Sequence, residues 1–283
     1  MATCHIALGG NVGDVFATME RGLDLLNHVN GITVQDVSHA YLTKPVGKCA
    51  GGDFLNAAAA LDCSLSAFDL LKHLKAVEEA IGRHEDARWG PRLLDLDLLL
   101  FGDDIINEHS LTVPHPHLWY RRFVLDPLAD IASEAVHPLH GQTIRSLLDC
   151  LDVRPLPIVL IGRHPDERRT LFGQLAEFKQ DVTFHDVSST SALPEHPASL
   201  SAIILVFDKT SEYLDIFSED ESIRQIPWHS IKQSDLPRMP FDPATRCINL
   251  SDLPGTSFDA AKSVLTAALD KPVRQSRPLR RMP

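Results

Sequence analysis

Residues 88–102, RWGPRLLDLDLLLFG, decide the fold of the segment around them. Leucine stands at every second position from 94 to 100, and Asp95 and Asp97 lie between the first three of these leucines. Side chains two apart share one face of a β-strand, so the leucines at 94, 96, 98 and 100 are expected to face the core and both aspartates the opposite side. Their Cα atoms should lie about 7 Å apart. Two carboxylates held this close in an apolar setting repel each other unless one is protonated or a cation lies between them. The pair therefore predicts a Mg²⁺ site that works with a phosphate substrate.

The loop before this strand supplies groups that complement the two acids. Arg88 and Arg92 flank Trp89-Gly90-Pro91. One guanidinium group can donate two parallel hydrogen bonds to phosphate oxygens, and an indole ring stacks on a flat heterocycle. Acids, arginines and an aromatic ring in one short stretch indicate nucleotide-dependent phosphoryl transfer. A strand with a tolerated polar face and a solvated arginine loop is the alternative, because a bare D-x-D pattern is common.

The stretch resembles the signature of 6-hydroxymethyl-7,8-dihydropterin pyrophosphokinases, which are enzymes of folate biosynthesis. The resemblance implies a reaction in which ATP and 6-hydroxymethyl-7,8-dihydropterin give AMP and the pterin pyrophosphate. It implies that Asp95 and Asp97 bind two Mg²⁺ ions as cofactors. The catalytic residues that it implies are Arg83, Arg92, Asp95 and Asp97.

Further segments over about residues 4–152 resemble the same family in the same order. A Thr-x-Pro turn and an aromatic-Leu-Asn strand match those that line the pterin pocket in the family. The pterin-binding residues implied in this way are Thr43, Pro45, Phe54, Asn56, Trp89 and Phe123. A side-chain amide can read the polar edge of a pterin ring, although a lone Asn in a strand is also suited to plain structural hydrogen bonding. Phe54 stands where many relatives have tyrosine.

The resemblance also implies the residues that bind ATP. They are Arg83, Arg88, Arg92, Thr112, His115 and Arg121. Asn11 resembles a residue near the pterin, and Glu78 one that supports the pterin side. Residues 47–53 and 83–92 are candidate lids. The sequence departs from the family pattern at His84–Asp86, where relatives often carry a base, and at Ser110, where an arginine often stands.

His115 and His117 have the H-x-H spacing of some metal sites. Pro114 and Pro116 interrupt any regular strand here, so the two rings are not expected to share one strand face. We therefore expect no metal on this pair.

The composition is that of a soluble globular protein of 283 residues, with 44% hydrophobic and 23% charged residues. A net charge of -11 argues against nucleic acid as a partner. No apolar run approaches the roughly 20 residues of a membrane span, and the first residues lack the layout of a signal peptide. The five scattered cysteines favour reduced thiols, so we expect a cytoplasmic protein without membrane partners.

Prolines near residue 155 indicate a linker between two domains. Residues 1–153 are expected to form the pyrophosphokinase domain, for which the resemblance implies a ferredoxin-like α+β fold. Residues 158–270 alternate strand and helix patterns, which predicts a small α/β domain of the flavodoxin-like or receiver-like kind. Residues 271–283 are basic and rich in proline, and this composition favours a disordered tail.

Phosphate acceptance of the receiver kind is disfavoured in the second domain. A receiver fold would have an acidic pair at the end of its first strand, where this chain has Gly162-Arg163. Asp208 is therefore not expected to accept phosphate.

Two other functions remain open at the level of sequence. The alternatives to the enzyme are a catalytically silent sensor of pterin or nucleotide, with the second domain as its output, and a scaffold that recruits the next folate-pathway enzyme. Formation of AMP separates the enzyme from the sensor, and co-purification of a partner tests the scaffold.

Overall fold

The chain begins with a mostly buried strand, β1 (Ala2–Gly10), which lies inside the larger sheet. The computed structural model describes residues 1–46, 51–82, 92–161, 165–187, 203–206, 247–250, 253 and 255–279. The elements that follow β1 are α1 (Val15–Asn27), β2 (Ile32–Val37), β3 (His39–Thr43), β4 (Phe54–Cys63), α2 (Ala67–Ile81), β5 (Asp95–Phe101), β6 (Ile106–Glu108), β7 (Leu111–Val113), a 3₁₀ turn (Leu118–Tyr120), α3 (Arg122–Ala132), β8 (Val136–His137), β9 (Gln142–Thr143) and α4 (Ile144–Asp152).

The second half of the chain contains mainly parallel strands and helices. Its described elements are β10 (Leu156–Ile161), α5 (Pro165–Gln174), a 3₁₀ turn (Leu175–Phe178), β11 (Val182–Val187), β12 (Ile203–Val206), β13 (Cys247–Asn249), α6 (Ser257–Leu269) and β14 (Val273–Pro278). Among the residues that the structure describes, no helix is long and apolar enough to cross a bilayer.

The larger sheet has the order β14-β3-β4-β1-β5, and β2 also pairs with β4. All of its pairings are antiparallel. Helices α1 and α2 contribute to one core cluster with alternate residues of β1, β4 and β5. Helix α3 packs against β4 and β3, and its buried residues are not part of that cluster. The unit is therefore a mixed α+β fold with helices on both faces of its sheet, and α3 lies on the face that carries Asp95 and Asp97.

Side-chain caps fix where the first two helices begin. Asp14 accepts a hydrogen bond from the Ala17 backbone N–H at 3.1 Å, as expected for the N-cap of α1. Ser66 accepts from the Asp69 N–H at 3.2 Å and begins α2. Gly82 ends α2 with φ of 112°, a left-handed conformation that glycine adopts at little cost.

A β-bulge changes the direction of the side chains in the second half of β5. Ile6 lies opposite Leu98 but His5 lies opposite Leu100, so β5 has one extra residue between these pairs. The expectation that Leu100 faces the core with the other even-numbered leucines is wrong. Phe101 takes that place in the core cluster beyond the bulge.

Two compact units share the chain, and the first of them is discontinuous. Residues Met1–Asp149 and Ala267–Pro283 belong to one unit, and Cys150–Thr266 to the other. In the second unit the described strands form a parallel sheet with the order β11-β10-β12-β13. Gly162, Arg163 and Asp208, on which the receiver comparison rests, lie outside the described residues.

The prediction of a disordered tail is wrong for Val273–Pro278. These residues form β14, which pairs antiparallel with β3 in the first unit. Leu279, which follows the strand, is 5% exposed and belongs to the core cluster of that unit. The basic, proline-rich composition of the tail does not show that Leu279 anchors it in the core. It also does not show that the edge of β3 offers hydrogen bonds to the tail.

Candidate active site

Asp95 and Asp97 begin β5 and lie on the sheet face opposite the leucine core. Both acids are half-buried, whereas Leu96 between them is fully buried. Their partners across the ladder are Gly9 and Ala7 of β1. Small neighbours on this face leave space above the carboxylates, which is what a cation and a phosphate chain need.

Arg92 forms an ion pair with Asp95, and both side chains are 22% exposed. The Arg92 backbone N–H donates to the Asn11 Oδ1 at 2.8 Å, and the Asn11 N–H donates to the Arg92 carbonyl at 2.9 Å. Gly10 allows this close approach, because a Cβ atom there would meet the Leu93 carbonyl oxygen at 2.6 Å. The turn after β1 thus holds the arginine beside the first acid.

The acids fit a cation that shares its ligands between protein and substrate. The Asp97 side chain makes no hydrogen bond or ion pair with the part of the chain that the structure describes. No group of three or more His, Cys, Asp or Glu side chains suited to a metal occurs within that part. Mg²⁺ is typically bound by one or two carboxylates, and water and phosphate oxygens fill its other coordination positions.

Glu78 and Lys75 of α2 hold the backbone of the residue between the two acids. Glu78 is 1% exposed, and its Oε1 accepts from the Leu96 N–H at 2.6 Å. Lys75 Nζ donates to the same Glu78 oxygen at 2.9 Å and to the Leu96 carbonyl at 3.3 Å. Because β5 is the last described strand at this end of the sheet, these side chains replace a missing neighbour strand. Glu78 therefore fixes the backbone between the acids, and the support for the pterin side that the family resemblance implied stays a prediction.

The predicted pterin residues on β3 and β4 lie close together. Asn56 is 8% exposed, and its amide donates to Thr43 Oγ1 at 2.8 Å. Phe54 is half-buried and lies opposite Thr43 across the ladder. Pro45 follows in the segment after β3 and is half-buried. This hydrogen bond is also what a purely structural Asn would make, so the pterin role of Asn56 stays a prediction.

One row of residues connects this wall with the acids. Asn56 and Asp95 both lie opposite Gly9, on the strands at either side of β1. Two strand spacings separate their Cα atoms by about 10 Å. A Cβ atom at Gly9 would lie 3.3 Å from the Asn56 Oδ1, so the glycine leaves the row between the two polar groups open.

Arg121 and Phe123 lie at the start of α3, on the same face of the sheet. The Arg121 guanidinium carbon lies 5.9 Å from the centre of the Tyr120 ring and 5.6 Å from that of Phe123. Arg121 is the N-cap residue of α3, where the helix dipole favours anions. Both Arg121 and Phe123 are half-buried, so each has surface left for a ligand.

His115 is tied to β5 through its backbone N–H, which donates to the Leu99 carbonyl at 2.9 Å. Burial and then the charge of Arg121 lower the pKa of His115, Asp95 opposes the shift, and the resulting pKa is about 3. Burial and then Arg121 also lower the pKa of His117 to about 3. Both rings are therefore neutral at pH 7. The His117 backbone N–H donates to the His115 Nδ1 at 3.2 Å, which leaves that nitrogen unsuited to a metal.

The remaining predicted site residues are only partly accounted for. Thr112 is exposed on β7. Arg83, Arg88 and Trp89 lie outside the described residues. The candidate lids 47–53 and 83–92 do so as well, except for residues 51–53 and Arg92. Their roles stay predictions.

Tyr41 and Asp130 were missed by the sequence reasoning. The Tyr41 hydroxyl donates to Asp130 Oδ1 at 2.9 Å, which joins β3 to α3. Tyr41 lies opposite Asn56 and two residues before Thr43, and this spacing on one strand face is a signal that could have found it. Asp130 could not have been found in this way, because 89 positions separate it from Tyr41.

An α+β domain that places paired carboxylates near arginine and aromatic side chains has the features of an enzyme that transfers phosphate groups. The family model for 7,8-dihydro-6-hydroxymethylpterin-pyrophosphokinase (HPPK) matches residues 5–133. The chain is 41% identical over 159 residues to the 2-amino-4-hydroxy-6-hydroxymethyldihydropteridine pyrophosphokinase of Synechocystis sp., which covers 54% of this chain and 81% of the relative. It is 42% identical over 130 residues to the enzyme of that name from Bacillus subtilis, which covers 46% of this chain and 78% of the relative. The chain belongs to the HPPK family.

Proposed function

We propose that this protein transfers pyrophosphate from ATP to the hydroxymethyl group of 6-hydroxymethyl-7,8-dihydropterin in folate biosynthesis. Membership of the family, over residues 5–133, is the observation that carries this function. The paired acids, the ion-paired arginine and the Asn–Thr wall all fall within that segment.

The acids are assigned to two Mg²⁺ ions, which neutralise charge on the ATP phosphates when bound. Asp95 and Asp97 would hold the ions, and the Glu78 bond to Leu96 supports this role because it fixes the backbone between them. Arg92 pairs with Asp95. We infer that its guanidinium turns to phosphate oxygens when ATP binds, since it is already held at the edge of the site.

Several side chains are assigned to neutralising and orienting ATP. Arg121 offers a positive charge at the start of a helix, where anions are favoured. His115 stays neutral beside it and would act as a hydrogen-bond partner. Arg83, Arg88 and Thr112 complete the proposed set.

The pterin is assigned to the wall formed by β3, β4 and the start of α3. Asn56 and Thr43 would read the polar edge of the ring, and Pro45 and Phe54 would border it. Phe123 would stack on one ring face with Trp89 on the other. Flat aromatic ligands gain from such stacking on each side.

The transfer is direct. The hydroxymethyl oxygen attacks the β-phosphorus of ATP and forms a new O–P bond while the bond from the β-phosphorus to the α,β-bridging oxygen breaks. AMP leaves with that electron pair, and the hydroxyl proton is released. Catalysis here consists mainly of positioning and charge stabilisation.

For the second unit we propose a flavodoxin-like fold and a role in recruiting the next folate-pathway enzyme. Numbered among the described strands alone, the order β11-β10-β12-β13 corresponds to 2-1-3-4, with which flavodoxin-like sheets begin. The unit lies beyond the segment that the family model matches, so a separate role is expected of it. Co-purification of the partner with the full chain, and its loss when residues 158–266 are replaced by a short linker, would support recruitment.

The test of the proposed function is the formation of AMP. The full chain is incubated with ATP, Mg²⁺ and the dihydropterin, and AMP is measured by a coupled assay. We expect AMP only when all three are present, and none after chelation of the metal. Binding of pterin or nucleotide without AMP would overturn the proposal in favour of a sensor.

A further inference from the structure

The tail strand β14 is an added edge of the catalytic sheet. Val273 lies opposite Leu42, Arg274 opposite Tyr41 and Pro278 opposite His39. The chain reaches this edge only after it has passed through the second unit, and the tail is not part of the segment that matches the family. Residues far in sequence from the segment that matches the family therefore pair with the strand that carries Thr43.

The tail is anchored to the first unit beyond its hydrogen-bonded ladder. Leu279 inserts into the core cluster. The Arg277 guanidinium lies 4.8 Å from the centre of the Phe16 ring and 3.5 Å from the carboxylate of Glu20, both on α1. An apolar anchor and a cation–π contact give the tail a fixed position next to β3.

Arg274 joins the tail to a polar cluster that we call the tail clamp: Arg274, His39, Tyr41 and Asp130. Arg274 Nη2 lies 2.7 Å from the His39 Nδ1, and its Nε lies 3.9 Å from the Asp130 Oδ2. Asp130 also accepts from the Tyr41 hydroxyl at 2.9 Å and from the His39 backbone N–H at 3.3 Å. The Asp130 carboxylate of α3, which is 21% exposed, thus contacts both β3 and β14, and Arg274 supplies the opposite charge.

The tail clamp links the two walls of the proposed pterin site. Its residues His39 and Tyr41 are on β3, which ends at Thr43, the partner of Asn56. Asp130 is on α3, which begins next to Arg121 and with Phe123 in its first turn. Without β14, β3 would be an unpaired edge with open backbone groups. The distance between the walls depends on contacts that the tail completes.

We propose that Arg274 is a positioning residue for the pterin site, which it reaches through Asp130 and β3. This inference rests on the proposed function, because it assigns the walls to pterin. Arg274 is itself about half exposed and acts through other residues. Its removal should therefore weaken pterin binding selectively without abolishing turnover.

The kinetic test compares Arg274→Ala, Arg274→Lys and the control Gln275→Ala in the full chain. Gln275 neighbours Arg274, and its side chain bonds only to the Val273 carbonyl among the described contacts. We expect Arg274→Ala to raise the KM for dihydropterin about two- to fivefold, which is the effect of losing a partly exposed ion pair. The KM for ATP should stay unchanged, Arg274→Lys should restore much of the loss, and Gln275→Ala should behave as wild type. Unchanged pterin KM in Arg274→Ala, or an equal rise for both substrates, would overturn the inference.

Hydrogen exchange separates failure of this inference from failure of the proposed function. Amides of Tyr41–Thr43 should exchange faster in Arg274→Ala and in a chain that stops after Asp270, while amides of β1 stay protected. If the wild type forms no AMP, the proposed function fails whatever the exchange shows. If the wild type forms AMP and the pterin KM does not change in Arg274→Ala, only the positioning role fails.

Discussion

Replacement of Glu78 by alanine tests how the acids of β5 are held in place. Glu78 lies on α2 with 1% of its surface exposed, and it accepts the Leu96 N–H at 2.6 Å. Alanine leaves this buried N–H without its acceptor and removes the partner of Lys75. Among the described residues, no other side chain accepts from the Leu96 N–H.

The magnitude follows from the kind of bond that is lost. A buried hydrogen bond to a charged acceptor contributes about 1.5–3 kcal/mol, so we expect Glu78→Ala to lower the free energy of unfolding by about 2–3 kcal/mol. For a unit of this size the melting temperature should fall by about 4–12 °C. Glu78→Gln keeps an acceptor oxygen and loses only the pairing with the half-exposed Lys75, so about 0.5–1 kcal/mol is expected. Since Leu96 separates Asp95 from Asp97, Glu78→Ala should also lower kcat about 10- to 100-fold.

Calorimetry of the full chain measures the change in stability. Because the chain has two units, hydrogen exchange of the β1 and β5 amides identifies which thermal transition belongs to the first unit. Glu79→Ala is the matched control, because Glu79 is the next residue on α2 and is exposed. The free energy of unfolding of Glu79→Ala should stay within about 0.5 kcal/mol of the wild-type value. Equal effects of Glu78→Ala and Glu79→Ala on stability, or normal kcat in Glu78→Ala, would refute the role assigned to the Leu96 bond.

Three further predictions concern separate parts of the first unit. Asn56→Ala should raise the KM for dihydropterin about tenfold through loss of about 1.4 kcal/mol of hydrogen bonding, measured by steady-state kinetics; an effect no larger than that of the exposed control Asn30→Ala would contradict the assignment. Leu279→Ala should lower the free energy of unfolding by about 2–4 kcal/mol in denaturation of the full chain, and a loss below about 0.5 kcal/mol would show that the tail is not anchored in the core. His115 has a folded-state pKa of about 3, below its ordinary value of 6.5, so the unfolded chain binds the extra proton between these values and stability falls as the pH is lowered from 6.5 to 3. The slope of unfolding free energy against pH measures how many more protons the unfolded chain binds than the folded chain. His115→Gln should reduce this difference by up to about one proton in that window, and an unchanged slope would refute the lowered pKa of His115.

The alternation in residues 94–98 was enough to predict β5 and the orientation of its two acids, because side-chain direction in a strand depends only on position. The change of direction at Leu100 was not predictable. It depends on a bulge against β1, and the leucine-rich run fits the core equally well in either register.

Parts of the candidate site were recognisable because they are local in sequence, such as Arg92 with Asp95. The bond between Tyr41 and Asp130 was not, since it depends on the packing of α3 against β3, which are far apart in sequence. The tail strand was concealed for a different reason. Composition measures the average tendency to fold, whereas β14 depends on one buried leucine and on an edge supplied by distant residues.

Turnover by Asp97→Asn, side by side with wild type, is the most direct test of the claim that the paired acids of β5 bind the metal for pyrophosphate transfer. The measurement is AMP and pterin pyrophosphate formed from ATP, Mg²⁺ and dihydropterin, with circular dichroism to confirm that the variant is folded. We predict equal amounts of both products from wild type and a loss of at least about a thousandfold in the variant, since one carboxylate ligand is removed from the ions that stabilise the transferring group. A folded Asp97→Asn protein with near-normal turnover would contradict the account.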